Sequence, residues 1–381
     1  MGKTNSLMAD IQASLEKKEF QQTKKLLKQW QKVEPRNPWL HLYAARWYEA
    51  TDKVEMAEKG YRQLLRGCDL PKVVQQARQG LQRLEQRVVD AEAAAIASAL
   101  ASTDGDAYGL FVIEPILKAD QKAAAQHFAT VMKTDAYSAR LQLPTRAWRL
   151  FRTGKLGELK FYADALKQGQ IPGFCLSFAA LEAVQVFQVR YVQNIQSGLV
   201  VRCADAQQQE VTLKLAWQEI EQCVAGTIPL FEESLEKDGR GKTFYKTKVL
   251  DYAQFWDLHV GDRQLILRFN DQHYQFKEGI PLIVAANQAS IEQHSVRRKW
   301  NQLKQELSTH LAHAPTWSEF KSFAGNAADF PELLRKTSAQ VHLFRLEKHK
   351  ETHWDPAWQL YSTMIFVKKA QDLAKQKASK N

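Results

Sequence analysis

The residues best equipped for chemistry stand close together in the run Thr145-Arg146-Ala147-Trp148-Arg149-Leu150-Phe151-Arg152-Thr153-Gly154-Lys155. Three arginines, two aromatics and a lysine fall within eleven positions. Guanidinium forks match phosphate geometry and can stack on a base or read a guanine edge. In a strand over 148–152, Arg146, Trp148, Leu150 and Arg152 point one way and Arg149 the other. Thr153-Gly154 reads as a turn into a helix whose first N–H groups are suited to phosphate oxygens. The candidate ligand-binding set is therefore Arg146, Trp148, Arg149, Phe151, Arg152, Thr153, Gly154 and Lys155, with Trp148 or Phe151 stacking. An ordinary strand, with solvated arginines flanking a core Trp148 and Phe151, fits the same pattern.

Other motifs carry less. Gly239-Arg240-Gly241-Lys242-Thr243 resembles the end of a phosphate loop, but Glu236 stands where its first glycine is required. His349 and His353 are four apart beside Glu347 and Asp355, without an HExxH motif. The four cysteines show no CxxC, which predicts neither a zinc site nor a dithiol pair and fits a reducing compartment. The GxSxG elbow of a hydrolase is missing. Met1-Gly2-Lys3-Thr4-Asn5-Ser6 matches the loose myristoylation pattern. The expectation is a protein that is not an enzyme, with no catalytic residues, no metal and no cofactor. Trp300, Trp317, Trp354 and Trp358 accompany Phe320, Phe323 and Phe330 in the last third and read as core aromatics on amphipathic helices.

The elements that must position these groups show a repeat first. Residues 4–70 recur with a period of 34, so that Phe20 matches Val54, Thr23 matches Ala57, Leu27 matches Tyr61 and Trp30 matches Leu64. A 34-residue helix-turn-helix unit with small residues at the crossing is the tetratricopeptide pattern. Lys72–Leu100 continues as a long capping helix. After Ala101–Asp106, a linker, the period changes. Strands are predicted at Tyr108–Ile113, Trp148–Arg152 and Ile171–Leu176, with helices at Lys122–Met132, Ala136–Leu141 and Leu156–Gln168. That order implies a small mixed sheet with helices on one face. Further strands are predicted at Val186–Ile195, Leu199–Ala204, Val211–Trp217, Asp251–Val260, Arg263–Asn270 and His273–Lys277, and a kinked helix at Glu219–Glu236. The fold class is α+β. Its parts are N-terminal tetratricopeptide-like helical repeats over 1–100, a central mixed α/β region over 107–285 with a break near 180, and a C-terminal helical region over 286–381.

Tyr108–Pro115, Thr145–Tyr162, Asp251–Gln254 and Trp354–Tyr361 resemble stretches of a cyanobacterial family of tetratricopeptide-repeat proteins, and the similarity runs through most of the chain. The chain is also similar to cyanobacterial receptors of cyclic di-GMP. Such receptors hold the dinucleotide with arginines and aromatics, often where two subunits meet. The resemblance thus implies a cyclic dinucleotide ligand, an arginine cluster that contacts it, and a homodimer. A strict Arg-x-x-x-Arg is absent; the spacing is Arg146-x-x-Arg149-x-x-Arg152.

Lys and Arg exceed Asp and Glu by 53 − 42 = 11, which favours an anionic partner, although the basic residues are spread through the chain. No apolar run approaches a membrane span, and the N-terminus lacks a signal core, which predicts a cytoplasmic location and no membrane. The expectation is a cytoplasmic, non-enzymatic signalling adaptor: helical repeats for a protein partner and a middle region for an anionic ligand. The alternatives are a nucleic-acid-binding protein and a scaffold or assembly factor without a ligand.

Overall fold

The computed structural model describes residues 2–237, 239, 243–282, 293–341, 343 and 352–379. The Gly239–Thr243 loop and the His349–His353 pair lie in part outside them. The chain divides into two compact units, Met1–Ser98 and Ala99–Asn381.

The first unit is helical: α1 (Gly2–Glu16), α2 (Phe20–Val33), α3 (Pro38–Ala50), α4 (Val54–Gly67) and the greater part of α5 (Pro71–Leu100). Local chemistry sets the breaks. Asn37 caps α3 by accepting a hydrogen bond from the Trp39 N–H, and Pro38 sits at the first helical position, where a missing N–H costs nothing. Lys18 and Asp52, 34 residues apart, both turn the chain through the left-handed region. The matched positions are buried in register: Thr23 and Ala57, Leu27 and Tyr61, Trp30 and Leu64. α5 closes on the second helix pair through a small residue. A Cβ on Gly80 would lie 2.4 Å from the Tyr61 ring.

The second unit holds two sheets. β1 (Tyr108–Ile113) is followed by α6 (Gln121–Met132), α7 (Ala136–Gln142), β2 (Arg149–Lys155), α8 (Leu156–Gln168), β3 (Gly173–Ser177) and α9 (Phe178–Glu182). The strands form an antiparallel sheet in the order β2-β1-β3. Phe111 and Ile113 pack with Ala124, Phe128 and Leu159 of α6 and α8. Leu110 and Val112 pack the other way, against Phe323, Leu360 and Met364. The sheet is thus covered on both faces rather than one, and it is antiparallel rather than mixed. Burial on both faces explains why β1 is a continuous apolar run.

The larger sheet comprises β4 (Gln185–Asn194), β5 (Leu199–Ala204), β6 (Glu210–Leu215), β7 (Ile220–Lys237), β8 (Thr243–Val260) and β9 (Leu265–Asn270). Then come α10 (Gln293–Ser308), β10 (Thr316–Trp317), α11 (Phe320–Ala327), α12 (Pro331–Lys336) and α13 (Trp354–Ala378). Its order is β10-β7-β8-β9-β4-β5-β6. The helix expected at Glu219–Glu236 is strand β7. The helix-forming Glu-Glu-Ser-Leu-Glu segment is overridden by pairing along β8, in which even Pro229 stands opposite Tyr252. The strand expected at His273–Lys277 is a series of turns, and its aromatic alternation arises from packing: Tyr274 stacks on Phe269 and touches Phe276. The C-terminal helices belong to this unit. Trp358, Tyr361 and Met364 of α13 share a core with the small sheet, and a Cβ on Gly226 of β7 would meet the Trp358 ring at 2.4 Å. Among the described residues no helix is long and apolar enough to cross a membrane.

Polar groups pin α13 in place. Arg268 of β9 is fully buried opposite Asp257 of β8 and pairs with it at 2.8 Å. It also donates to the Gln340 carbonyl and to Gln359 Oε1 of α13. His259 lies between Gln222 and Ser362; burial, with Arg268 nearby, pushes its pKa down to about 3.

Candidate functional site

β2 is an edge strand of the small sheet, and the arginine-rich run lies on and before it. The strand does not end at Arg152. Thr153 and Gly154 stay paired with Leu110 and Gly109, and α8 begins directly at Leu156. The expected turn at Thr153-Gly154 therefore does not form. Nor is the start of α8 open to a phosphate. The Leu156 N–H donates to the Ala107 carbonyl and the Gly157 N–H to the Gly105 carbonyl, each at 2.8 Å. A Cβ on Gly157 would sit 2.5 Å from the Ala99 carbonyl oxygen, so the chain itself fills the place an anion would take.

The register shifts between Phe111 and Val112, leaving Phe151 as the extra residue in β2. This bulge changes the alternation expected for the strand. Leu150 enters the core shared with α11 and α13, while Phe151 meets Phe111 and Phe128 edge-on. Arg152 turns to α8, where it pairs with Glu158 at 3.1 Å and lies over the Tyr162 ring. Trp148 is buried, 4.8 Å from Phe174 and 4.9 Å from Trp317 between ring centroids, so it has no face left for a base. Lys155 forms an exposed pair with Asp106. Arg146 is exposed in the segment before the strand.

Arg149 is placed differently. With Phe151 it lines a cavity of about 390 Å³, together with Phe128 and Met132 of α6, Thr134, Ser138, Gln142, Leu150, and Asn326, Asp329 and Phe330 at the end of α11. Arg146 and Arg152 are not among the lining residues. Among the described residues Arg149 Nε is buried without a hydrogen-bond partner, and so is Asn326 Oδ1. Buried polar atoms are nearly always satisfied, so an unpaired donor and an unpaired acceptor on residues of one lining make this cavity the candidate site. The volume lies at the lower end of the ~300–1,000 Å³ range of small-molecule pockets. Of the eight residues predicted from sequence, the structure brings Arg149 and Phe151 to this cavity. Asn326, Asp329 and Phe330 lie almost 180 residues further on, and no local motif announced them.

A second concavity, about 800 Å³, lies within the helical unit, lined by Gln12, Glu16, Tyr43, Arg46, Glu49, Asp52, Arg83 and Arg87 among others. Glu49 is its fixed point. Arg83 grips it with two hydrogen bonds, and the Tyr61 hydroxyl donates to it. Burial opposes the Glu49 charge, but those hydrogen bonds outweigh it and hold the carboxyl below its ordinary range. Arg87 pairs with Asp52, and Arg46 lies over the Tyr43 ring.

Thiol chemistry has little footing in the second unit. Burial pushes Cys175, Cys203 and Cys223 up to about 12, so they stay protonated at neutral pH. Among the described residues no group of three or more His, Cys, Asp or Glu is placed to hold a metal ion. No family model matches the chain, and no curated protein or solved structure is similar to it.

Proposed function

We propose that this chain is a non-enzymatic adaptor that binds an anionic, guanine-bearing nucleotide at the Arg149 cavity and a protein partner in the groove of its helical unit. The observation that carries the first half is the Arg149 side chain: it lines a cavity, and its buried Nε has no hydrogen-bond partner among the described residues. A phosphate would supply the counter-charge in a bidentate contact. Asn326 Oδ1 and the Asp329 carboxylate are acceptors in the same lining, and guanine offers N–H donors on its pairing edge. Phe128 and Phe151 give the cavity an aromatic wall. Cyclic di-GMP is the first ligand to test; a cavity of this size suits one of its guanosine halves, and a second copy of the chain would take the other. The nucleic-acid alternative is weakened by the pairing of Arg152, Lys155, Arg202 and Arg263 with carboxylates, which leaves fewer cations to follow a phosphate backbone.

The second half rests on the 34-residue register of the helix pairs, read as tetratricopeptide repeats, and on the charged groove they form. Glu49, Arg46, Arg83 and Arg87 would meet the charges of an extended peptide, and a ligand would influence that partner only by binding more tightly to one state of the protein than another.

Calorimetric titration of the full chain tests the nucleotide. Cyclic di-GMP is expected to bind, Arg149→Ala to weaken it by about tenfold or more through loss of a charge-assisted contact, and Arg146→Ala or Arg152→Ala to leave it within about twofold, since neither lines the cavity. Absence of heat with cyclic di-GMP, GMP and inorganic phosphate alike would remove the nucleotide and leave a ligand-free scaffold.

A further inference from the structure

β7 and β8 are 18 residues each, well beyond the usual ~3–10 of a strand. Their inner halves belong to the large sheet. Their outer halves, Phe231–Lys237 and Thr243–Val249, form a two-stranded ribbon in which every residue of β8 from Thr243 to Tyr252 is exposed. An isolated two-stranded ribbon is marginal in water and gains stability by packing an apolar face.

The ribbon has such a face. Its cross-strand pairs alternate. Phe231–Val249, Glu233–Thr247, Leu235–Tyr245 and Lys237–Thr243 lie on one side; Glu232–Lys248, Ser234–Lys246 and Glu236–Phe244 lie on the other. The second side is largely polar and internally satisfied, with Glu236 pairing to both Lys246 and Lys248. The first side leaves Leu235 60% exposed, Tyr245 68% and Val249 44%.

We infer that this apolar side of the β7–β8 ribbon is a self-association surface, on which a second copy of the chain stacks face to face about a two-fold axis through the Leu235–Tyr245 pair. The charges select that occupant. On the apolar side Glu233 and Lys237 stand two residues before and two after Leu235. A two-fold axis at Leu235, running across the strands, lays Glu233 over Lys237 of the second copy and the reverse, while Leu235 and Tyr245 meet their own counterparts. The paired part of the ribbon balances Glu232, Glu233 and Glu236 against Lys237, Lys246 and Lys248, so it has no net charge to draw it to an anionic lipid surface. The overlap is short, roughly 23 Å of strand, which places the contact in the weak class below ~1,200 Å² of buried surface.

Sedimentation equilibrium of the full chain, from low micromolar to several hundred micromolar, is the test. The wild type is expected to pass from monomer to dimer. Leu235→Lys abolishes the dimer. Glu233→Lys and Lys237→Glu each weaken it by about tenfold through like-charge contact, and the double exchange restores it. All three positions are solvent-facing, and circular dichroism of each variant checks that the fold is kept. A Leu235→Cys chain is expected to cross-link to itself on mild oxidation, and a Phe244→Cys chain, on the opposite side, is not. A monomer at every concentration, a dimer indifferent to Leu235→Lys and the charge exchange, or binding of the monomer to lipid vesicles through this face would each overturn the inference.

Discussion

Asp271 shows how far one side chain can be moved from its ordinary chemistry. It follows β9, nearly buried, and its Oδ1 accepts a hydrogen bond from the Gln254 N–H at 2.9 Å. Burial raises its pKa to about 6, against the smaller opposing effect of that hydrogen bond. The folded state therefore holds a proton that the unfolded chain releases near pH 4. Stability falls as pH rises from about 4 to about 6, because the folded state binds more protons across that window. Asp271→Asn keeps an acceptor for Gln254 and removes the charge. It is expected to stabilise the protein by about 1–3 kcal/mol at neutral pH and to leave stability near pH 4 almost unchanged. Denaturant unfolding at the two pH values checks this. A wild type and variant that run parallel would place the carboxyl in a wetter setting than its neighbours suggest. Arg149 is the counterpart at the same scale: it lines a cavity, and its Nε has no hydrogen-bond partner among the described residues.

At the scale of elements, the junction of β2 and α8 decides what this region can bind. A strand followed directly by a helix is a familiar place for an anion, but here the chain entering from Ala99–Ala107 closes it with its own carbonyls. Gly157 is the residue that permits the approach, since a side chain would meet the Ala99 carbonyl oxygen. Gly157→Val is expected to cost about 2–4 kcal/mol through overpacking and loss of the Gly157–Gly105 hydrogen bond. Chemical denaturation would show it as a lower midpoint with an unchanged slope. A variant as stable as wild type would mean that the 99–107 segment can step aside. The bulge at Phe151 acts at the same scale: one extra residue sends Arg152 to α8 and keeps it out of the Arg149 cavity.

At the scale of the whole molecule, the second unit is tied together by Arg268. Its partners come from β8, from the Gln340 segment and from α13, so one guanidinium joins the large sheet to the helix that also covers the small one. A buried pair of this kind adds little net stability when intact, yet breaking it leaves an uncompensated charge. Asp257→Ala is expected to destabilise the second unit by about 3–5 kcal/mol, measured as the fall in unfolding free energy. The double replacement Asp257→Leu with Arg268→Met should recover much of that loss, by exchanging the pair for apolar packing. Recovery sets the pair's role as location of α13 rather than net stabilisation; a double variant no better than the single one would show that the fold depends on the charges themselves.

Local pattern carried much of this architecture. Tyr108–Ile113, Leu156–Gln168 and Leu199–Ala204 are legible to the residue, because each is an apolar run or face bounded by breakers. The 34-residue register of the first unit is equally legible, since helical periodicity and left-handed turns are properties of short segments. Trp148 was also open to reading as core. β7 was not legible: its glutamates favour a helix, and only the presence of β8 alongside makes a strand the better solution. The candidate cavity depended on tertiary structure in the same way. Asn326, Asp329 and Phe330 reach Arg149 because α11 packs beside β2, and the open start of α8 is lost because a distant backbone fills it. Chain-local energies determine where elements begin and end; which side chain is left without a partner depends on what the rest of the molecule brings to it.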